Sequence, residues 1–278
     1  MKIGILTDSS SGLTQEKIKN TDIYTLPLHI ITEDTDEFLD TPENAEKKDL
    51  IHLIKTQILK TSQISPGEMK MKLNELFTKY DHIIYFPVSE KLSNQYNTAC
   101  MIANETEFKN KFFVFKTIIT GFAIEKLVII LSEYIKKGKN VKELLQISQE
   151  FQDNVHTYLI PEDLSRLNKS GRVPKSVIAL INVLKVKIII EWNSNPKRIG
   201  IGKNVQKLVR KIVSNFESLN NKYDFYLLTN FGASQKIINS TEETLKENKI
   251  KYDLKELPNI FAVHAGLDTL GFIFIPKK

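Results

Sequence analysis

The first half of the chain alternates short apolar runs with helix-type segments, and this alternation constrains the fold more than any other feature. Parallel strands need long crossover connections, which are usually helices. The pattern therefore predicts an N-terminal α/β/α domain with a parallel sheet and helices on both faces. Ligands of such sheets sit beyond the carboxyl ends of the strands. The predicted strands are 2–7, 23–31, 82–88 and 111–116, and the predicted helices are 13–20, 42–60, 66–80, 94–106, 121–137 and 141–153.

The second half has a different order of elements. It contains a hairpin at 186–192 and 198–201, joined by a turn rich in asparagine, serine and proline. These features predict a C-terminal α+β domain with a mixed sheet. We place the domains at 1–155 and 156–278, packed closely because no glycine- or proline-rich linker separates them. The remaining predicted strands are 157–160, 225–229, 252–257 and 270–275, and the predicted helices are 177–184, 205–219 and 234–248.

Composition and the beginning of the chain bear on the compartment. The single cysteine excludes an internal disulfide and fits a reducing environment. The sequence enters a strand at once, without the pattern of a signal peptide, and no apolar run has the length of a bilayer span. We therefore expect a cytoplasmic protein.

Positive charge is concentrated in the second half. Residues 156–278 hold 20 Lys and Arg against 11 Asp and Glu, whereas the whole chain has a net charge of +6. A basic surface can dock an acidic partner or make transient contact with an anionic membrane, and the plain alternative is a solvated lysine surface. The lysines are scattered and accompany no nucleic-acid-binding motif, so no nucleic-acid partner is expected.

A run of small polar side chains precedes a strong helix-start signal at 60–68. Ser65 can cap the helix, Pro66 fits its first position and Glu68 completes a capping box. Thr61 and Ser62 would then present hydroxyl donors from a rigid support, which suits a carboxylate or phosphate. An ordinary polar loop before a capped helix is the alternative.

A second polar run, 88–96, follows the buried strand predicted at 82–88. It places Ser93 at or near a helix N-terminus, where free backbone N–H groups and the helix dipole favour anions. Asn94 adds an amide beside it. The alternative is that Ser93 only caps its helix.

Three further runs complete a pattern that extends from Thr7 to Gly271: residues 8–11 at the end of the first strand, 164–173, which contains Gly171-Arg172, and 262–267 around His264. In this order the runs resemble the DegV family of fatty-acid-binding proteins, including the fatty-acid-binding subunits of fatty acid kinase systems. Relatives often have a glycine where this chain has Asn94, and an Asp-Ser or Asp-Thr pair where it has Lys116-Thr117.

The resemblance implies a long-chain fatty acid held in a tunnel, with its carboxylate between the two domains. Thr61 and Ser93 would donate to the carboxylate directly, Asn94 would add a donor, and Ser62 has the same chemistry. His264 would lie beside the carboxyl group, and Arg172 would face the opening. A surface ion pair for Arg172 and a core position for His264 are the alternatives.

The resemblance also implies a partner. A separate ATP-dependent fatty acid kinase would phosphorylate the bound acid to an acyl phosphate that feeds phospholipid synthesis, with Arg172 and His264 near the phosphate or the kinase. The chain itself would be a non-catalytic lipid-binding component without a cofactor or a metal. Its other histidines show no metal-ligand spacing.

Two functions of other classes stay open. One is a small-molecule hydrolase with Ser93 as nucleophile, although the chain lacks the Gly-x-Ser-x-Gly elbow around it. The other is a regulatory scaffold that docks partners on its basic face.

Overall fold

The computed structural model describes residues 2–178, 186–219 and 222–277. Contacts divide the chain into two compact units. The first consists of Met1–Lys48 and Thr61–Asp153, and the second of Asp49–Lys60 and Asn154–Lys278. The helix predicted at 177–184 lies largely outside the described residues.

The first unit is built on a parallel sheet. Its strands run in the order β2-β1-β6-β7, and every neighbouring pair is parallel. All six residues of β1 are buried, as expected for a central strand covered on both faces. The strands from the N-terminus to 114 are β1 Ile3–Asp8, β2 Ile23–Leu26, β3 His29–Ile31, β4 Glu37–Leu39, β5 Lys60–Ser62, β6 His82–Phe86 and β7 Phe112–Val114.

Helices connect these strands, and one of them, α3, belongs to the second unit. A single 3-10 turn, Ser9–Ser11, follows β1 directly. The helices up to 153 are α1 Gln15–Ile18, α2 Pro42–Lys47, α3 Leu50–Thr56, α4 Pro66–Phe77, α5 Gln95–Ala103, α6 Phe122–Lys136 and α7 Val141–Asp153.

The second unit contains a six-stranded mixed sheet in the order β10-β9-β8-β13-β11-β12. Its neighbouring strands are antiparallel except for the β11–β12 pair, which is parallel. Its strands are β8 His156–Ile160, β9 Lys187–Trp192, β10 Lys197–Gly202, β11 Tyr223–Thr229, β12 Asp253–Glu256 and β13 Leu270–Pro276. Its further helices are α8 Leu164–Ser170, α9 Lys175–Ile178, α10 Val205–Glu217, α11 Gln235–Glu247 and α12 Asn259–Ala265.

Aromatic side chains of β11, β13 and α10 form the core of this sheet. The rings of Phe225 and Phe274 lie 4.9 Å apart, and Phe216 of α10 packs edge-on against both. Such offset and edge-to-face contacts are the arrangements that aromatic rings prefer. The two sheets confirm the predicted fold class: a parallel α/β/α unit and an α+β unit with a mixed sheet.

The prediction of one continuous helix at 42–60 was wrong, because the helix is interrupted in its middle. Helix α2 ends at Lys47, and Asp49 adopts a left-handed backbone conformation with φ of 48° that interrupts the helix. The Asp49 side chain then accepts a hydrogen bond from the His52 N–H at 3.2 Å and caps α3. The end of the predicted segment is strand β5, so this stretch holds two helices and a strand.

The strand predicted at 23–31 is also two strands. Pro27 separates β2 from β3. Strand β3 leaves the parallel sheet and joins a small sheet in the order β4-β3-β5, in which it runs antiparallel to β4. Proline lacks the N–H group that a central strand would use, so the chain changes sheets there.

None of the helices in the described part of the chain is long and apolar enough to cross a membrane.

Candidate functional site

A buried carboxylate organises the carboxyl edge of the parallel sheet. Asp8, at the end of β1, has no exposed surface. Its Oδ1 accepts hydrogen bonds from the N–H of Ser10 at 3.0 Å and from the Ser10 hydroxyl at 2.5 Å. Its Oδ2 accepts from the N–H of Val88 at 2.7 Å and from the Tyr85 hydroxyl at 3.3 Å. Burial raises the pKa of the Asp8 carboxyl, and these bonds oppose that effect.

The bond to Val88 fixes the beginning of the loop between β6 and α5. One residue later, the carbonyl of Ser89 accepts hydrogen bonds from the N–H groups of Leu92 at 2.8 Å and Ser93 at 3.2 Å. The loop is therefore a tight turn anchored on the sheet. The turn places Ser93 just before α5, at the carboxyl edge of the sheet, which is the position that the sequence predicted for Ser93.

Ser93 and Asn94 occupy the entrance to this helix. The Ser93 hydroxyl is half-buried and accepts a hydrogen bond from the N–H of Gln95 at 3.2 Å. Asn94 is the capping residue and is exposed, and its Oδ1 accepts from the Asn97 side chain at 2.6 Å. The φ of Asn94 is −78°, which any residue adopts, so the glycine common in relatives is not required for this turn.

The polar run 60–68 meets the same helix. Gln63, immediately after Thr61 and Ser62, donates from its Nε2 to the hydroxyl of Thr98 on α5 at 3.0 Å. The Ser62 hydroxyl donates to the Gln63 carbonyl at 3.3 Å. The polar run 60–68 is thus joined to α5, the helix that the run 88–96 enters, within the first unit.

The helix-start signal in this run is confirmed. Helix α4 begins at Pro66, and Ser65 caps it by accepting from the Glu68 N–H at 3.2 Å. The Glu68 carboxylate accepts from the Ser65 N–H at 2.8 Å, which completes the capping box. The pKa of Glu68 is lowered because the hydrogen bonds from Ser65 and the neighbouring His29 outweigh the effect of burial. The cap gives the Thr61–Gln63 segment a fixed support on its C-terminal side.

Sequence reasoning missed Gln95, the first residue of α5. Its side chain is completely buried. Neither its Oε1 nor its Nε2 has a hydrogen-bond partner within residues 2–178, 186–219 and 222–277. The signal was present in the sequence, because Gln95, Thr98, Ala99 and Ile102 have the spacing of one helix face, and all four are buried.

The second unit brings together the other predicted residues. His264 lies on α12, and Arg172 follows Gly171, which ends α8 in a left-handed conformation with φ of 68°. Burial, together with the positive charges of Arg172 and Arg166, lowers the pKa of His264 to about 4. At neutral pH His264 is therefore an uncharged imidazole beside two guanidinium groups. Its one N–H can donate a hydrogen bond to an anion, whereas the positive charge comes from the arginines.

Arg166 lies in the same run, 164–173, as Arg172. Its side chain is only 7% exposed. It donates to the carbonyl of Ile54 on α3 at 2.6 Å and to that of Val263 on α12 at 3.5 Å. Arg166 therefore ties the 49–60 segment to the helix that carries His264, and it adds positive charge there.

Within the described ranges, no group of three or more His, Cys, Asp or Glu side chains is placed to hold a metal ion.

The sequence as a whole matches one family model. The model is described as "Uncharacterised protein, DegV family" and matches residues 2–277. The chain belongs to the DegV family. A DegV domain-containing protein of Mycoplasmopsis pulmonis is 31% identical and aligns over 99% of this chain and 95% of its own length. A DegV domain-containing protein of Clostridium perfringens is 25% identical, with 97% of each chain covered.

Solved structures of DegV proteins have the same fold. A fatty-acid-binding DegV family protein from Thermus thermophilus superimposes with a TM-score of 0.82 at 21% identity and covers both chains completely. A stearic-acid-binding protein from Eubacterium ventriosum gives a TM-score of 0.84 at 18% identity and covers 99% of this chain and 98% of its own. These likenesses establish the fold, and the roles of individual residues in this chain stay predictions.

Proposed function

We propose that this DegV protein binds a long-chain fatty acid and presents its carboxylate to a partner ATP-dependent kinase, which converts it to an acyl phosphate. The observation that carries the proposal is the Gln63–Thr98 hydrogen bond, which joins the polar run 60–68 to α5, the helix that the run 88–96 enters. That helix begins at the carboxyl edge of the parallel sheet, in a family whose solved members include proteins described as binding fatty acids.

The energetics of such a ligand divide between its chain and its head group. Burying each methylene is worth about 0.8 kcal/mol, so a long acyl chain contributes on the order of 10 kcal/mol before the costs of association. A carboxylate removed from water costs several kcal/mol unless it is hydrogen-bonded. Neutral hydroxyls beside a helix N-terminus supply those bonds without burying a full counter-charge.

Within the proposal, Thr61 and Ser93 donate to the carboxylate, and Ser62 and Asn94 support them. His264 acts as an uncharged hydrogen-bonding group, because its low pKa keeps it neutral. Arg172 supplies positive charge for the phosphate that develops during transfer, as guanidinium groups do. The chain contributes no catalytic residue of its own, and the kinase brings the ATP.

The double variant Thr61→Ala and Ser93→Ala tests the binding part. Two hydrogen bonds to a charged head group are worth about 1.5–3 kcal/mol each, so fatty-acid affinity should fall by at least about 100-fold. Affinity is measured by displacement of a fluorescent fatty acid. Thr78→Ala with Ser218→Ala is the matched control, since both side chains are exposed and bond only to carbonyls of their own helix ends. Equal losses in the two double variants would contradict the assignment.

The kinase part is tested by reconstitution. The lipid-loaded chain is mixed with an ATP-dependent fatty acid kinase of a relative, and acyl phosphate is trapped with hydroxylamine. The proposal predicts product only when chain, fatty acid, kinase and ATP are all present. Product formed from free fatty acid and kinase at the same rate without the chain would contradict it.

A further inference from the structure

The proposed function gives no role to Gln95, whose side-chain carboxamide is unpaired within the described ranges. The side chain is 0% exposed, and within the described ranges neither of its polar atoms is hydrogen-bonded. Buried polar side chains in proteins are almost always paired, because each unpaired group loses its hydration without compensation. Gln95 therefore holds a donor and an acceptor that a bound group can pair.

The position of Gln95 on α5 shows which residues share its face of the helix. Gln95 and Thr98 are three residues apart on α5, so their side chains share a face. The Thr98 hydroxyl accepts from Gln63, the neighbour of Ser62. The Gln95 amide thus lies on the face of α5 that meets the 61–63 segment, in the first turn of a nine-residue helix.

Another buried glutamine of the same unit behaves differently. Gln152 is 4% exposed, yet its Oε1 accepts from the N–H of Ile118 at 3.1 Å. Its Nε2 donates to the carbonyl of Lys116 at 3.3 Å and to Gln149 at 3.2 Å. A buried amide in this unit is therefore satisfied where its role is structural, and Gln95 departs from that pattern.

The chemistry of a carboxamide defines its ligand. Its Nε2–H donates and its Oε1 accepts, side by side. A carboxylate only accepts, so it would leave Oε1 unpaired. A primary amide, like an un-ionised carboxylic acid, both donates and accepts, and it closes a ring of two hydrogen bonds with Gln95.

We propose that Gln95 binds the lipid head group, at one point for a carboxylate and at two points for a primary amide, and that this chain binds long-chain fatty primary amides as well as fatty acids. The inference rests on the proposed function, because it uses the same lipid site. It assigns head-group selectivity to a residue outside the predicted set of hydroxyls.

Ligand competition with the wild-type protein is the first arm of the test. Palmitic acid, palmitamide and methyl palmitate each compete with a fluorescent fatty acid. Palmitamide should match the acid within about threefold, whereas the ester, which cannot donate, should bind about tenfold more weakly than the amide, the value of one hydrogen bond. An amide that does not compete, or that binds no better than the ester, overturns the proposal.

Substitution of Gln95 by Met is the second arm. It should weaken palmitamide about tenfold or more and erase the difference between amide and ester. It should also raise the melting temperature of the lipid-free protein, because an unpaired buried amide is removed. Gln152→Met is the matched control: it should lower the melting temperature and leave the order of the three ligands unchanged. Unchanged palmitamide affinity in Gln95→Met overturns the assignment.

The two proposals fail in different ways. A wild-type protein that binds none of the three ligands or the fluorescent fatty acid contradicts the proposed function itself. Binding of the acid without selectivity between amide and ester contradicts only the role of Gln95.

Discussion

Replacement of Asp8 by Asn probes the hydrogen bonds that hold the carboxyl edge of the sheet. The side chains have nearly the same shape, so no cavity forms. Oδ2 of Asp8 faces the Val88 N–H and Oδ1 faces the Ser10 N–H, so either orientation of an asparagine points its NH2 group at a backbone N–H. The hydroxyls of Ser10 and Tyr85 can rotate to accept, but the backbone groups cannot.

The expected loss of stability follows from the one backbone N–H that the asparagine leaves unpaired. One buried backbone N–H left unpaired costs about 1–3 kcal/mol, and removing the burial cost of the carboxylate offsets part of the lost bonds. We expect a net loss of about 2 kcal/mol, or a fall of roughly 4–8 °C in the melting temperature of a unit of this size. Tyr85→Phe removes only the 3.3 Å bond and should cost less. Asp81→Asn, at an exposed site, is the Asp-to-Asn control.

Calorimetry gives the melting temperature, and amide hydrogen exchange of residues 86–95 reports the local effect. Exchange should accelerate in this segment of Asp8→Asn. The pKa of Asp8 is raised in the folded protein, so folding favours its protonated form. The stability advantage of wild type over Asp8→Asn should therefore grow as pH falls through the folded-state pKa. An unchanged melting temperature, or an advantage that shrinks on acidification, would refute this account of Asp8.

Two predictions concern the second unit. His264 has a folded-state pKa of about 4, below its ordinary value of 6.5, so the folded state resists protonation of this residue. Wild type should lose up to about 3 kcal/mol more stability than His264→Gln between pH 6.5 and 4, measured by urea unfolding, and parallel pH curves would be evidence against it. Arg172→Ala should retain fatty acid while acyl-phosphate formation by the partner kinase falls at least tenfold, the scale of one lost charge-assisted contact. Loss of lipid and of product in strict parallel would contradict that role for Arg172.

Local signals in the sequence predicted part of this arrangement. The capping box at Ser65 and Glu68 depends on residues three apart, and the structure has it as predicted. The start of α5 just after Ser93 follows in the same way from a buried strand and a polar turn. The alternation of strands and helices likewise indicated the parallel sheet.

Long-range contacts decided what the sequence did not show. The 49–60 segment belongs to the second unit, where Arg166 bonds to Ile54, 112 residues away in the chain. No local pattern encodes that bond. The predicted domains, 1–155 and 156–278, placed residues 49–60 in the N-terminal domain.

Gln95 was missed for another reason. Hydroxyl side chains in a polar run indicate carboxylate ligands directly, whereas burial of an amide depends on packing around the whole helix. The spacing of Gln95 with Ala99 and Ile102 would have placed it on the buried face of α5.

The central claim is that this chain carries a fatty acid, and the most direct measurement is mass spectrometry of the lipid extracted from purified protein. The account predicts close to one long-chain fatty acid per chain, and a large reduction in the variant with Thr61→Ala and Ser93→Ala. Protein that yields no lipid and also takes up no added fatty acid would contradict it.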